Sequence, residues 1–176
     1  ARMNGCELPV VINSGSGNQG LTVSVPLIVY AEREHLDKEK LYRALVISNL
    51  TAIHLKTEIG RLSAFCGAVS AGAACGAGLA YLKDASEEVM NHTIVNALAI
   101  TSGIICDGAK ASCAAKIAVS VEAGILGYDM YMNGQQFYGG DGIISKGIEN
   151  TIHNIGVLGS QGMASTDQEI IKIMCE

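Results

Sequence analysis

The chain has 176 residues, of which 49% are apolar and 16% charged. That is enough for one domain with a buried core, and it carries too little charge for a disordered segment. Its formal net charge of −5 argues against nucleic acid or an anionic membrane surface as the main partner.

No initiator Met precedes Ala1-Arg-Met-Asn-Gly-Cys6, and no charged leader followed by an apolar core is present. No signal peptide is therefore read, and the chain looks like a piece of a longer one. Asn13 to Gly20 reads NSGSGNQG, in which Gly15, Gly17 and Gly20 fit G-x-G-x-x-G. The β-branched residues of Leu21 to Val29 favour a strand, although a helix carrying Pro26 is the alternative. Asp37 to Gly60 is the clearest helix, with Asp37 as N-cap, apolar residues at helical spacing and Gly60 as the stop.

Arg61 to Lys83 encloses 21 uncharged residues, rich in Ala, Gly and Ser. That length could span a bilayer, but a helix apolar on all sides is also the expected centre of a helical bundle, and charged segments flank it. The central reading is preferred, with no membrane partner. Asp84-Ala-Ser-Glu87 resembles a capping box for a helix running to about Ser102. Further helices are predicted from about Lys110 to Asn133, from Ile143 to Leu158, and from a Ser165–Gln168 cap to Cys175, with a Gly-rich loop at 135–142. With 21 Gly, two Phe and no Trp, these helices are expected to pack through small residues. The expected fold is mainly α: a single helical domain over residues 1–176, with Gly-rich loops and a buried Ala/Gly-rich central helix.

A dinucleotide-binding turn needs a strand before it, a helix after it, and strands alternating with helices beyond. Here helices follow helices, so the motif does not indicate NAD or FAD. What remains is a turn whose glycines free backbone N–H groups beside Ser14, Ser16, Asn18 and Gln19. With a helix starting near Asn18, it suits a small anion. A purely structural turn is the alternative.

Six cysteines stand at positions 6, 66, 75, 106, 113 and 175, with no C-x-x-C. A chain able to build its own core does not need a disulfide framework, so cytosolic thiols and a cytoplasmic location are expected. On one continuous helix Cys106 and Cys113 would lie about 10.5 Å apart along the axis, too far for two ligands of one cluster. The turn signal Asp107-Gly108 would let Cys106 swing back toward Cys113 near a helix N-terminus, which favours thiolates. Spacing alone leaves core cysteines and a three-cysteine metal site both open. Cys75, inside the Ala/Gly helix, is read as a core residue, and His54, His92 and His153 as helix-face or core residues.

The stretches SGSGNQG, CGAVSAGAACGAG and ICDGAKASCAAKI resemble the iron–sulfur-dependent serine dehydratase alpha-chain family, most of all its L-cysteine desulfidase branch. The likeness covers essentially the whole chain. It implies that Cys66, Cys106 and Cys113 are the three ligands of a [4Fe–4S] cluster. It also implies a lyase that converts a small amino acid to pyruvate and ammonia. Serine dehydratases proper differ around the Gly-rich loop and the second cysteine, which tilts the substrate from L-serine toward L-cysteine.

On this resemblance Ser14, Gly15, Ser16, Gly17, Asn18 and Gln19 would bind the substrate carboxylate, with Lys110 as a second anchor or a solvated lysine. Full-length members carry the proton-accepting cysteine in an N-terminal portion absent here, so no residue is assigned that role and the fragment alone is not expected to be active. Some serine dehydratases place a C-terminal cysteine on the open iron. Cys175 is the candidate for that plug, with an apolar packing contact as the alternative. Homo-oligomer formation is left open.

Overall fold

The computed structural model describes all 176 residues and contains seven α-helices and no strand. They are α1 (Gly17–Arg33), α2 (Lys38–Ile59), α3 (Gly67–Leu82), α4 (Glu87–Thr101), α5 (Ser112–Met132), α6 (Ile148–Val157) and α7 (Ala164–Cys175). Helix α3 is the centre, touching α1, α2, α4 and α5. Every residue of it except Gly67 and Tyr81 is buried, and each of the three apolar clusters includes residues from it.

Small side chains make this centre possible. A Cβ on Gly72 would overlap the Ser120 carbonyl, and one on Gly124 would lie 2.5 Å from the Gly72 oxygen. The α3 and α5 backbones are therefore in contact. Asn96 of α4 adds a hydrogen bond, donating to the Gly127 carbonyl of α5 at 3.0 Å. The uncharged run at 62–82 is divided between a loop and α3, whose 16 residues span about 24 Å. No helix is long and apolar enough to cross a membrane.

The strand signal at Leu21 to Val29 is overruled. The segment lies inside α1, which runs through Pro26. Proline removes one helical donor and β-branched residues disfavour helix, yet Val23, Leu27 and Ala31 are buried along one face. Tertiary burial outweighs the local preference.

Helix α2 begins and ends as predicted, with the Asp37 carboxylate accepting from the Glu39 amide at 2.9 Å. The cap of α4 is Ser86, which accepts from Val89 N at 3.4 Å. Asp84 instead sits in a left-handed turn and pairs with Lys40 at 2.8 Å. Helix α6 starts at Ile148 rather than Ile143, and α7 starts at Ala164 without a side-chain cap.

Candidate active site

Two distant loops are tied together beside the N-terminus of α3. Phe65 and Ile105 form an isolated antiparallel bridge. Cys66 N donates to Ile104 O at 3.1 Å and Cys106 N to Ala64 O at 2.7 Å. Phe65 is fully buried and anchors the arrangement. These bonds hold Cys66, the N-cap of α3, next to Cys106, forty positions later.

The chain then reverses at Gly108, whose φ of +91° suits a residue without a Cβ. This brings Cys106 back over the first turn of α5, where Cys113 donates to the Gly108 carbonyl at 3.6 Å. Lys116, one turn further, donates to Ile105 O at 2.9 Å and pairs with Asp107, securing the reversed loop.

The Gly-rich turn faces the same place. Asn13 and Ser16 exchange two backbone hydrogen bonds at 3.2 Å, closing the turn on which α1 begins. Ser16 is the N-cap, accepting from Gln19 N at 3.2 Å. The Gly17 and Asn18 amides remain as first-turn donors. Gln19 lies against Gly67, where a Cβ would come within 2.5 Å of its amide carbon. Its Oε1 is buried without a hydrogen-bond partner.

Gly15, Ser16, Asn18 and Gln19 line a cavity of about 140 Å³ together with Cys66, Cys106 and Cys113. The structure thus brings these seven sequence-predicted residues to one place. Ser14 lines a neighbouring cleft of about 580 Å³. Gly17 packs toward Val10 and Arg2. Lys110 does not line the cavity; it is exposed and bound to the Asp107 carboxylate and carbonyl.

Three cations that sequence reasoning missed, Lys56, Arg61 and Lys116, contribute to the cavity wall. Lys116 had a signal in its spacing, three positions after Cys113. Lys56 had another, a lysine on the helix face that carries Ser48, Ala52 and Ile59. Burial pushes its pKa down, partly offset by the nearby Cys106 and Cys66 sulfurs.

The thiols are chemically unequal. The neighbouring Cys66 thiol, joined by the Gly108 amide and Lys116, lowers the Cys106 pKa to about 6. The proximity of Cys106, together with burial, raises that of Cys66. Cys75 is fully enclosed, and burial alone pushes it up to about 12. In metal-free protein, iodoacetamide is therefore expected to modify Cys106 at pH 7 much faster than Cys75. Its rate should fall as pH drops through about 6, because protonation removes the thiolate. Mass spectrometry of alkylated peptides across pH 5 to 9 checks this, and a Cys106 rate that rises only above pH 8 contradicts it.

None of the three helix histidines His54, His92 and His153 lines the cavity. His54 pairs with Glu149 at 2.9 Å, His153 with Glu58 at 2.7 Å, and His92 stacks on Tyr131. Cys6 and Cys175 are exposed.

A family model described as serine dehydratase alpha chain matches residues 1–172. The chain belongs to the serine dehydratase alpha chain family. It is 67% identical over 174 residues to a UPF0597 protein of Desulfitobacterium hafniense, covering 99% of this chain and 40% of that one. It is 56% identical to a UPF0597 protein of Treponema denticola, with the same coverage. A UPF0597 protein of Phocaeicola vulgatus is 42% identical, again over 99% of this chain and 40% of its own. The chain thus spans about two fifths of the length of these relatives. No solved structure matches it.

Proposed function

We propose that these residues are the cluster-holding part of an iron–sulfur-dependent lyase that eliminates sulfide from L-cysteine, giving pyruvate and ammonia. The observation that carries this reading is that Cys66, Cys106 and Cys113 line one small cavity with the Gly-rich turn. Membership of the serine dehydratase alpha chain family supports a lyase.

The donors suit an iron–sulfur group. The three thiols are free, and no histidine stands beside them, a soft set that favours iron and sulfide over a hard cation. No group of three or more His, Cys, Asp or Glu closes on one point as a single metal ion requires. A four-iron cluster offers each thiolate its own iron, so three thiols that line one cavity without meeting at one point can still serve it. Bound to three cysteines, such a group supplies a Lewis-acidic iron with an open position.

The chain's own residues do the rest. Cys106 enters as a thiolate, and Lys116 offsets negative charge at the thiols. Ser16, Asn18 and the first-turn amides offer donors to a carboxylate.

Anaerobic reconstitution of the whole protein with iron and sulfide tests the reading. Retention of about four irons per chain is expected, with pyruvate released faster from L-cysteine than from L-serine. A preference for L-serine would reassign the substrate. Failure to retain iron would leave a non-catalytic anion-binding domain.

A further inference from the structure

Of the twelve lysines and arginines in the chain, only Lys56 is buried, at 4% exposure. It sits on the inward face of α2 among Ala52, Leu55 and Ile59. No carboxylate answers it: the ion pairs of the protein involve other cations. Burying an ammonium without a partner opposes folding, and a methionine there would keep the packing without the charge.

The placement of its charge suggests a function. Lys56 lines both the cysteine cavity and the cleft beside it, and Gly15 and Arg61 are likewise shared between the two. Gln19, with its buried, unpartnered Oε1, lines the same cavity. Asp107, the carboxylate of the cysteine loop, is already taken by Lys110 and Lys116. The site therefore holds a surplus of positive charge within a protein of net charge −5.

We propose that Lys56 is the counter-charge for the substrate's α-carboxylate, a positioning residue that selects amino acids over amines carrying the same leaving group. This rests on the lyase reading given above. The carboxylate lies between Lys56 and the first turn of α1, and the other end of the substrate points toward the cysteines. One charge-assisted contact of this kind corresponds to roughly 30-fold in affinity.

Two small thiols separate the ends of the substrate. 3-Mercaptopropionate keeps the carboxylate without the amine, and cysteamine keeps the amine without the carboxylate. Calorimetric binding of both is measured on the whole protein, metal-free and after reconstitution, as wild type and as Lys56→Met. The variant should bind 3-mercaptopropionate about 30-fold more weakly, bind cysteamine as before, and retain as much iron as wild type. In turnover, KM for the amino acid should rise more than kcat falls.

Equal weakening of both thiols, or no weakening of either, overturns the proposal. So does a loss of iron in the variant, which would make Lys56 a partner of the cluster ligands instead. A thermal midpoint no lower than wild type verifies that the variant is folded; if it does not fold, Lys56→Gln takes its place in the same measurements. Wild-type protein that retains no iron defeats the lyase reading, while the metal-free comparison of the two thiols still decides the role of Lys56.

Discussion

Replacing Gly72 with Ala is expected to destabilise the protein by about 2 kcal/mol, although alanine is the better helix former. Two effects compete. Alanine gains about 1 kcal/mol of helix propensity over glycine. Against this, the added methyl would overlap the Ser120 carbonyl of α5. A flexible side chain could swing away, but here the obstacle is the backbone of a packed helix. Relief requires α3 and α5 to separate, and overpacking of a tight core costs about 1–3 kcal/mol, occasionally more.

Gly124→Ala should behave alike, since its Cβ would stand 2.5 Å from the Gly72 oxygen. Gly103 supplies the control: it has open space around it and no left-handed backbone, so Gly103→Ala should be neutral or slightly stabilising. Urea unfolding midpoints of the three variants check the ranking, and a Gly72→Ala protein as stable as wild type contradicts the close packing. The damage should also reach the cavity, because α3 carries Cys66 at its start and α5 carries Cys113 in its first turn.

How much of this was legible in the sequence depended on whether the signal was local. Helix α2 announced itself through Asp37, a long apolar period and Gly60, all of which act within their own turns. The central position of α3 followed from its composition, because a helix with no polar face must be surrounded. Helix α1 defeated local reading: Val23, Val25, Ile28 and Val29 prefer strand, and only contact with the rest of the bundle reverses that preference. The start of α4 was misplaced by two residues because Asp84 and Ser86 are both competent caps, and Asp84 is drawn off by Lys40.

At the site, the cysteines and the glycine turn carried motifs, so the residues themselves were visible. Their meeting was not, since it depends on the Phe65–Ile105 bridge across forty positions. Lys110 attracted attention as a cation at a turn, yet the reversal at Gly108 leaves it outside the cavity and turns Lys116 inward. Lys56 was passed over because a single lysine in an apolar stripe reads as an edge residue until its burial is seen.

Serine substitutions at the six cysteines should divide them into two groups. Cys66→Ser, Cys106→Ser and Cys113→Ser are each expected to lose iron on reconstitution and to lower lyase activity at least ~10³-fold. That factor corresponds to about 4 kcal/mol, the scale of Lewis-acid stabilisation removed. Cys6→Ser should change neither property, since Cys6 is exposed and does not line the cavity. For Cys75, Ala is the cleaner test than Ser because the site is dry; a modest loss of stability with iron intact is expected.

Cys175 is the informative member. Helix α7 buries none of its residues, so the apolar packing contact that was the alternative for Cys175 is slight. Met174 nevertheless reaches the cysteine loop, where its Cε lies 3.1 Å from the position a Cβ would take on Gly108. The helix end thus rests beside the site, while Cys175 itself is exposed and forms no part of the cavity wall. A thiol in that position is not set on an open iron, so Cys175→Ser should leave the visible spectrum of the reconstituted, substrate-free protein unchanged. A spectrum that shifts before substrate is added would mean that α7 moves inward when iron is bound and that Cys175 caps the site.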